Sequence, residues 1–379
     1  MSTPASPAPP TRPRVDPRLL GMQRGQPVSG PQTLHIDVTN GCNTNCVTCW
    51  DHSPLLQLGR SVAWKKQKID VATVSDVLND VAELGGLRAV ILSGMGEPFT
   101  HPDIYQMIAE VKRRGLHLTL ITNLVAADAQ RIVELEVDQL LIGIHGASES
   151  SYRAFHPSFV RDEWPRLLQR LEHFARHGRR FKHVHVICQT NAAELVQMIE
   201  LGDRYGAEQC NFKLASLRDG TERIGITAAQ RQELLEKLVP AAQAAATERN
   251  LQTNLQVFTQ QLQPGGTATA PIEEVGCFMG YAYSRILVDG TVLYCCSTEV
   301  RVGTLADGTR FAELWKGPAW SALRTRLRRG DYFDSCQQCG KFNQNVQLSQ
   351  RFAKLYGTDR LYEITGRRPS SPPDPAPER

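Results

Sequence analysis

The chain has 379 residues, 41% of them hydrophobic, which suffices for two domains or for one large α/β domain with an appendage. Its net charge of +4 is too small to indicate nucleic-acid binding, and no run of about 18 apolar residues could span a membrane. Without an export signal, ten cysteines are unlikely to be disulfide-bonded, so their spacing is informative. We therefore expect a cytoplasmic protein that binds neither nucleic acid nor membrane.

Strand and helix patterns alternate along the first two thirds of the chain. Strands are predicted at residues 34–38, 87–92, 116–121, 139–144, 183–188 and 209–214. Helices are predicted between them at 69–84, 102–114, 128–135, 164–177 and 193–205. Six such units predict an α/β fold, a partial (β/α)6 TIM-like barrel with a parallel sheet, whose functional residues lie at the carboxyl ends of the strands.

The composition changes along the chain predict five segments. Residues 1–31 and the end of the chain after Gly366 are rich in Pro, Ser and Arg, which is typical of disordered tails. We predict a disordered tail at 1–31, the barrel at 32–226, a linker helix and loop at 227–274, a small α+β domain at 275–345, and a C-terminal helix and disordered tail at 346–379. The loop composition of 261–270 marks the boundary before the small domain.

Three cysteines follow the first predicted strand as Cys-x3-Cys-x2-Cys: Cys42, Cys46 and Cys49. Three thiolates cannot fill a tetrahedral zinc site alone, but they can hold three irons of a [4Fe–4S] cluster and leave the fourth open. This spacing and placement resemble the radical S-adenosylmethionine (SAM) superfamily. The family usually has an aromatic residue just before the third cysteine; here Thr48 stands there, and Trp50 follows the triad. A zinc knuckle or a chance grouping is the alternative.

A glycine-rich turn after the second predicted strand resembles the family's Gly-Gly-Glu-Pro motif, with a methionine inserted. Gly94 and Gly96 would let the backbone approach a ligand, and Glu97 would accept a hydrogen bond from the SAM ammonium group. Thr122 and Asn123 match the family's Thr-Asn dipeptide at the third strand end. The resemblance implies that these five residues bind SAM. The alternative is an ordinary glycine-rich turn.

Further candidates follow the later strands. His145 stands where related enzymes have an aspartate in Ser-Leu-Asp-Gly, and it is a candidate for substrate contact or simply a turn histidine. Gln189 and Asn191 are two apart and are expected to share a face at the fifth strand end, where the resemblance implies contact with the SAM ribose. Lys213, late in the sixth strand, is a candidate to face the substrate or to lie on the surface.

A second cysteine set lies in the last third of the chain. It consists of Cys277, Cys295, Cys336 and Cys339, with an Asp-Gly hairpin turn at 289–290 and a predicted helix at 311–328 between the members. The pattern resembles the "twitch" domain, the short form of the SPASM domain, and implies a fully ligated auxiliary [4Fe–4S] cluster. Four cysteines also suit a structural zinc, which is the alternative.

Three cysteines stand outside both sets. Cys296 adjoins a predicted ligand and could substitute for Cys295. Cys188 and Cys210 lie within predicted strands and are expected to be buried small hydrophobic residues.

The resemblance implies an enzyme that cleaves SAM reductively to a 5′-deoxyadenosyl radical and abstracts hydrogen from a substrate. Its cofactors would be SAM and two [4Fe–4S] clusters, and its electron donor would be of the flavodoxin or ferredoxin type. The short segment before the first strand leaves no room for a leader-binding domain. We therefore expect oxidation of a small polar metabolite such as a sugar or aminocyclitol. The alternatives are a peptide-modifying maturase, an epimerising enzyme, or a non-catalytic iron–sulfur electron carrier.

Overall fold

The computed structural model describes residues 15–263 and 272–366. The strands are β1 Thr33–Asp37, β2 Ala89–Ser93, β3 His117–Thr122, β4 Gln139–Gly143, β5 Lys182–Ile187, β6 Gln209–Leu214, β7 Gln252–Thr253, β8 Tyr283–Ile286, β9 Thr291–Leu293 and β10 Arg301–Thr304. The helices up to β7 are α1 Pro17–Arg24, α2 Val62–Lys65, α3 Val71–Leu84, α4 Ile104–Arg113, α5 Ala129–Glu134, α6 Glu149–Phe155, α7 Glu163–Arg176, α8 Leu195–Arg204, α9 Ala228–Glu233 and α10 Val239–Glu248. The later helices are α11 Leu255–Leu262, α12 Ile272–Val275, α13 Phe311–Lys316, α14 Pro318–Arg328, α15 Phe342–Tyr356 and α16 Thr358–Thr365.

All ten strands form one sheet in the order β10-β9-β8-β1-β2-β3-β4-β5-β6-β7. The pairs from β1 to β7 are parallel, and β8 also pairs with β1 in parallel, whereas β8, β9 and β10 are joined by antiparallel pairs. This mixed α/β architecture with a parallel core confirms the predicted partial barrel. The hairpin that follows Cys277 extends the barrel sheet directly beside β1.

The two faces of the strands differ in chemistry, and this difference locates the site. Leu34 and Ile36 of β1 belong to the same buried hydrophobic cluster as Val74 and Leu78 of α3. Side chains alternate along a strand, so the opposite face of β1 carries polar residues and points into the barrel. The helices therefore cover the apolar face of the sheet, and the interior remains available for polar chemistry.

The N-terminal segment differs from the predicted disordered tail. Residues 17–24 form α1, which Asp16 caps through a hydrogen bond to the Arg18 amide. Leu19 and Met22 on this helix are buried, and this packing stabilises it. The tail prediction is therefore wrong for this helix. The predicted tail over residues 1–14, the tail after Gly366 and most of the predicted loop at 261–270 lie outside the described residues.

Two further boundaries differ from the prediction. The helix predicted at 311–328 is divided into α13 and α14, because Gly317 is extended and Pro318 has no amide hydrogen to continue the first helix. The predicted linker at 227–274 contributes β7, which pairs with β6. The five-segment division itself stays a prediction. Within residues 15–263 and 272–366, no helix combines the length and apolar content needed to cross a bilayer.

Candidate iron–sulfur and SAM site

The first cysteine set lies in an irregular loop at the carboxyl end of β1. The amide of Gly96 donates to Thr39 O at 3.2 Å, and the amide of Glu97 donates to Gly41 O at 2.9 Å. A Cβ atom at Gly96 would lie 1.9 Å from Gly41 O, so no other residue fits there without moving the backbone. The glycines of the predicted SAM motif therefore let the turn after β2 pack directly on the loop that carries the cysteines.

The thiols of this loop are close enough to perturb one another. Burial, together with the charges of Glu97 and Cys49, raises the pKa of Cys42 to about 12. Burial also raises the pKa of Cys46 well above its usual value, with the neighbouring thiols contributing in the same direction. Such thiols are readily deprotonated only when a bound cation offsets the cost of burying the thiolate charge. This donor set fits an iron–sulfur cluster with three cysteine ligands.

Three predicted SAM-binding residues converge next to this loop. The Glu97 carboxylate is buried and accepts hydrogen bonds from Thr122 Oγ1 at 2.6 Å, the Asn123 amide at 2.7 Å and the Phe99 amide at 3.1 Å. Burial raises the pKa of Glu97 to about 7, although these hydrogen bonds act in the opposite direction. Glu97 therefore joins the carboxyl ends of β2 and β3, and its direct contact with SAM stays a prediction.

Asn43, inside the cysteine triad, is a residue that sequence reasoning missed. Asn123 Nδ2 donates to Asn43 Oδ1 at 2.7 Å, which ties the cysteine loop to the end of β3. An asparagine between two of the cysteines was the available signal, but its partner lies 80 residues away.

At the ends of β4 and β5, the candidate side chains bond to the backbone. His145 has a positive φ of 62°, its Nδ1 accepts from the Val186 amide at 3.0 Å, and its ring lies 4.5 Å from that of Phe155. Asn191 is buried and donates to His145 O at 2.7 Å. Gln189 is exposed, so the expected shared face is wrong: β5 ends at Ile187 and the chain turns. Roles in binding SAM or substrate stay predictions for all three.

Lys213 lies on the barrel-facing side of β6. Cys210 and Phe212 on the other side are buried in a hydrophobic cluster with α8, α10 and α11. Alternation places Lys213 and Asn211 on the opposite face, and Lys213 is exposed there. Ile121 of β3 is 41% exposed on the same face of the sheet, an unusual value for an internal strand. This face is thus open to a ligand. Cys188 and Cys210 are fully buried, as expected.

The second cysteine set comes from three separate segments. Cys277 precedes β8, Cys295 follows β9, and Cys336 and Cys339 flank a short turn before α15. Burial raises the pKa of Cys277 far above its usual range, and Cys339, Cys336 and Cys296 are its charged neighbours. The four predicted ligands therefore converge around β8 and β9, with Cys296 beside them.

A buried ion pair joins the two cysteine regions. Arg285 of β8 binds Asp37 of β1 through two hydrogen bonds, from Nε to Oδ1 at 3.0 Å and from Nη2 to Oδ2 at 2.7 Å. Arg285 Nη1 also donates to Cys296 O at 3.3 Å, and Nη2 lies 3.8 Å from Met95 Sδ. One guanidinium therefore contacts β1, the glycine-rich turn and the loop of the second cysteine set. Sequence reasoning missed this residue.

Next to this pair, His35 forms a neutral polar contact inside the barrel between β1, β2 and β8. His35 of β1 hydrogen-bonds through its two ring nitrogens to Tyr283 Oη and Ser93 Oγ. Burial lowers the pKa of His35 well below its usual value, so the ring is neutral at physiological pH. Lys341 Nζ lies 4.1 Å from the centre of the Tyr283 ring. β1 and β8 are therefore joined by side chains as well as by the backbone.

Comparison with known families agrees with this geometry. Residues 36–202 match the radical SAM superfamily model, and residues 277–340 match the model of the SPASM iron–sulfur cluster-binding domain. The chain carries a radical SAM domain followed by a SPASM domain. Its cofactors are accordingly SAM and iron–sulfur clusters, one bound in the radical SAM domain and one in the SPASM domain.

Among relatives, the chain is similar to the PqqA peptide cyclase of Gluconobacter oxydans, with 32% identity over 32% of this chain and 32% of the relative. It is also similar to the AdoMet-dependent heme synthase of Methanosarcina barkeri, with 24% identity over 76% of this chain and 83% of the relative. The chain thus spans about a third of the peptide cyclase and most of the heme synthase.

Two solved structures resemble the radical SAM fold described above. SuiB of Streptococcus suis bound to S-adenosylmethionine superposes with a TM-score of 0.56 at 15% identity, covering 78% of this chain and 66% of SuiB. AnSMEcpe with bound AdoMet and a Cp18Cys peptide superposes with a TM-score of 0.58 at 13% identity, covering 89% and 99%. At these identities the likeness shows a shared fold.

Proposed function

We propose that this radical SAM enzyme removes a hydrogen atom from a polar substrate and completes a net two-electron oxidation with the help of its second cluster. A cluster in the first set would supply the electron for reductive cleavage of SAM, and a cluster in the second set would accept the second electron from the substrate. Cys42, Cys46 and Cys49 would hold the first cluster. Cys277, Cys295, Cys336 and Cys339 would hold the second.

The observation that carries this proposal is the adjacency of the two cysteine regions. The first set follows β1, the second set surrounds β8, and these two strands are hydrogen-bonded neighbours. Arg285 of β8 binds both Asp37 at the end of β1 and Cys296 O in the loop after β9. A substrate at this edge of the barrel would therefore lie near both cofactors. Electron transfer after hydrogen abstraction requires this proximity.

The chain's own residues prepare the site in identifiable ways. The hydrogen bonds from Thr122 and Asn123 to Glu97 fix the relative position of two strand ends next to the cysteine loop. Neutral His35 links Ser93 of β2 to Tyr283 of β8 by hydrogen bonds without introducing charge. Positioning by preformed hydrogen bonds avoids reorganisation when SAM and substrate bind.

For the substrate, we propose a small polar metabolite. Support comes from the open face of the sheet, where Lys213 is an exposed cation and no carboxylate lies within 4.0 Å of it in the described residues. A hydroxyl, carboxylate or phosphate group on the substrate would be a suitable partner for that ammonium group. His145 at the end of β4 remains a second candidate for substrate contact.

A peptide substrate is the second candidate, and the relatives favour it. A SuiB structure contains the precursor peptide SuiA, an anSMEcpe structure contains a Cp18Cys peptide, and the Gluconobacter relative is named a PqqA peptide cyclase. The chain is also similar to heme synthases, whose name indicates no peptide substrate, so the similarity is not confined to peptide-modifying proteins. Epimerisation or bond formation on a peptide would use the same first step.

The experiment is an anaerobic assay of the reconstituted protein with SAM and dithionite. We expect 5′-deoxyadenosine and methionine in equal amounts, whereas a non-catalytic electron carrier would form neither. Mass spectrometry of metabolite and peptide pools incubated with the enzyme then identifies the substrate class. A net oxidation lowers the product mass by two hydrogen atoms. Epimerisation would leave the mass unchanged in H2O and add one deuterium in D2O, which would contradict the oxidation.

A further inference from the structure

A surface segment, residues 57–68, packs directly against the loop of the first cysteine set. The Asn40 amide donates to Gln67 O at 3.0 Å, and the Ile69 amide donates to Val38 O at 3.0 Å. A Cβ atom at Gly41 would lie 3.3 Å from Lys65 O. The backbone of this segment is therefore fixed beside the residue that precedes Cys42.

Cys42 itself borders the surface at this point. A cavity of about 340 Å³ is lined by Cys42 together with Lys65, His52 and Ser158. This cavity lies on the side of the cysteine loop where segment 57–68 packs. A protein bound over the cavity would approach the first cluster closely without entering the barrel.

The charge of this face is strongly one-sided. Lys65, Lys66 and Lys68 are all exposed, and no carboxylate lies within 4.0 Å of them in the described residues. The two nearby acids are engaged elsewhere: Asp51 pairs with Arg60 at 2.7 Å, and Asp70 caps α3 by accepting from the Thr73 amide. Three unpaired lysines therefore face solvent beside the cavity.

The same segment also exposes apolar side chains. Leu58 is 81% exposed and Val62 is 68% exposed. An apolar contact area inside a polar, solvent-accessible rim is the usual arrangement of a protein–protein interface. The aromatic residue of this segment, Trp64, is half-buried, with Arg60 over its ring and His52 beside it, so it offers no free face for stacking on a base, which favours a protein over a nucleic acid.

We propose that residues 57–68 form the docking face for a small acidic one-electron carrier protein that reduces the first cluster. The proposal rests on the proposed function, because each reductive cleavage of SAM consumes one electron that an external donor must supply. The carrier loses one electron, and SAM gains it as its S–C5′ bond breaks to give methionine and the 5′-deoxyadenosyl radical. The lysines steer the acidic carrier, and Leu58 and Val62 contact it after docking.

The test compares two reductants on the anaerobically reconstituted enzyme: a reduced acidic flavodoxin, and dithionite, which needs no docking face. The variant is Lys65→Glu/Lys66→Glu/Lys68→Glu. We expect its rate of 5′-deoxyadenosine formation with subsaturating flavodoxin to fall by about tenfold or more at low salt. The rate with dithionite and the affinity for SAM should stay at the wild-type values.

A matched control reverses three exposed lysines elsewhere, Lys237→Glu/Lys316→Glu/Lys354→Glu. It changes the net charge equally and should keep most of the flavodoxin-driven rate. The second variant, Leu58→Ser/Val62→Ser, should raise the flavodoxin concentration needed for half-maximal rate with little change in salt dependence.

Equal flavodoxin-driven rates in the wild type and the Lys65→Glu/Lys66→Glu/Lys68→Glu variant would overturn the docking proposal, provided dithionite still supports SAM cleavage. A variant that cleaves SAM normally with dithionite but no longer converts substrate would instead show a substrate-binding surface, for a nucleic acid or a peptide, and would also overturn it. Absence of 5′-deoxyadenosine from the wild type with dithionite would contradict the proposed function instead.

Discussion

The two cysteine regions of this molecule are built in different ways. Cys42, Cys46 and Cys49 lie on one loop, and its neighbours hold it through backbone hydrogen bonds and glycine contacts. The second set spans residues 277–339 and comes together only when a hairpin, a helix pair and a turn pack around β8. The first site is therefore set by local chain geometry. The second depends on tertiary folding, so its metal should contribute to folding of that region.

The largest expected effect on SAM cleavage comes from removing the first cysteine set. Replacing Cys42, Cys46 and Cys49 together by Ala should abolish formation of 5′-deoxyadenosine, because no other group can supply the open iron. Iron per chain should fall from about eight to about four, since the second set keeps its own ligands. Iron analysis with liquid chromatography checks both values. Loss of all iron would show that the two regions depend on each other.

Removing two ligands of the second cysteine set should separate SAM cleavage from oxidation of the substrate. In the Cys336→Ala/Cys339→Ala variant we expect SAM cleavage to persist, while oxidised product falls by about two orders of magnitude or more. We also expect faster proteolysis within residues 275–345, because that region loses the metal that ties its segments together. Product formation at the wild-type rate would rule out the second cluster as an electron acceptor.

The buried pair between the regions should behave as a structural link. Arg285→Met leaves the Asp37 carboxylate buried without its partner, which we expect to cost about 3–5 kcal/mol of unfolding free energy. The double variant Asp37→Leu/Arg285→Met should recover most of that loss, because no charge is then buried. Urea unfolding under anaerobic conditions measures both values.

Arg176→Met is the matched control, since Arg176 and its partner Glu172 are both exposed and the loss of this pair should matter far less. A wild-type stability for Arg285→Met would show that the Asp37 pair does not join the regions.

The smallest expected effect is a pH dependence from Glu97. Its pKa is raised from 4.5 to about 7 by burial, so the folded chain binds a proton that the unfolded chain releases between these values. The contribution of Glu97 to the unfolding free energy should therefore fall by about 2 kcal/mol between about pH 5.5 and about pH 7.5, and it is measured as the difference between wild type and variant because buried histidines such as His35 add a slope of the opposite sign. The variant Glu97→Gln should lack this slope when unfolding is followed at each pH. The same slope in wild type and variant would assign the titration to another group.

The sequence predicts the strand ends better than the contacts between them. The apolar alternation of the first six strands and the spacing of both cysteine sets are local signals, and they predict the barrel and the hairpin correctly. The helix α1 is missed because it is stabilised by packing of Leu19 and Met22 and not by composition. Asp37 and Arg285 are 248 residues apart, and no local pattern reports such a pairing.

The metal content of the anaerobically reconstituted wild-type chain, measured on the same sample as the SAM cleavage assay, tests the two-cluster proposal most directly. With two [4Fe–4S] clusters per chain, we predict about eight irons and eight sulfides, no stoichiometric zinc, and formation of 5′-deoxyadenosine on addition of SAM and dithionite. About four irons with one zinc would contradict it, because the second cysteine set would then be a structural zinc site that accepts no electron.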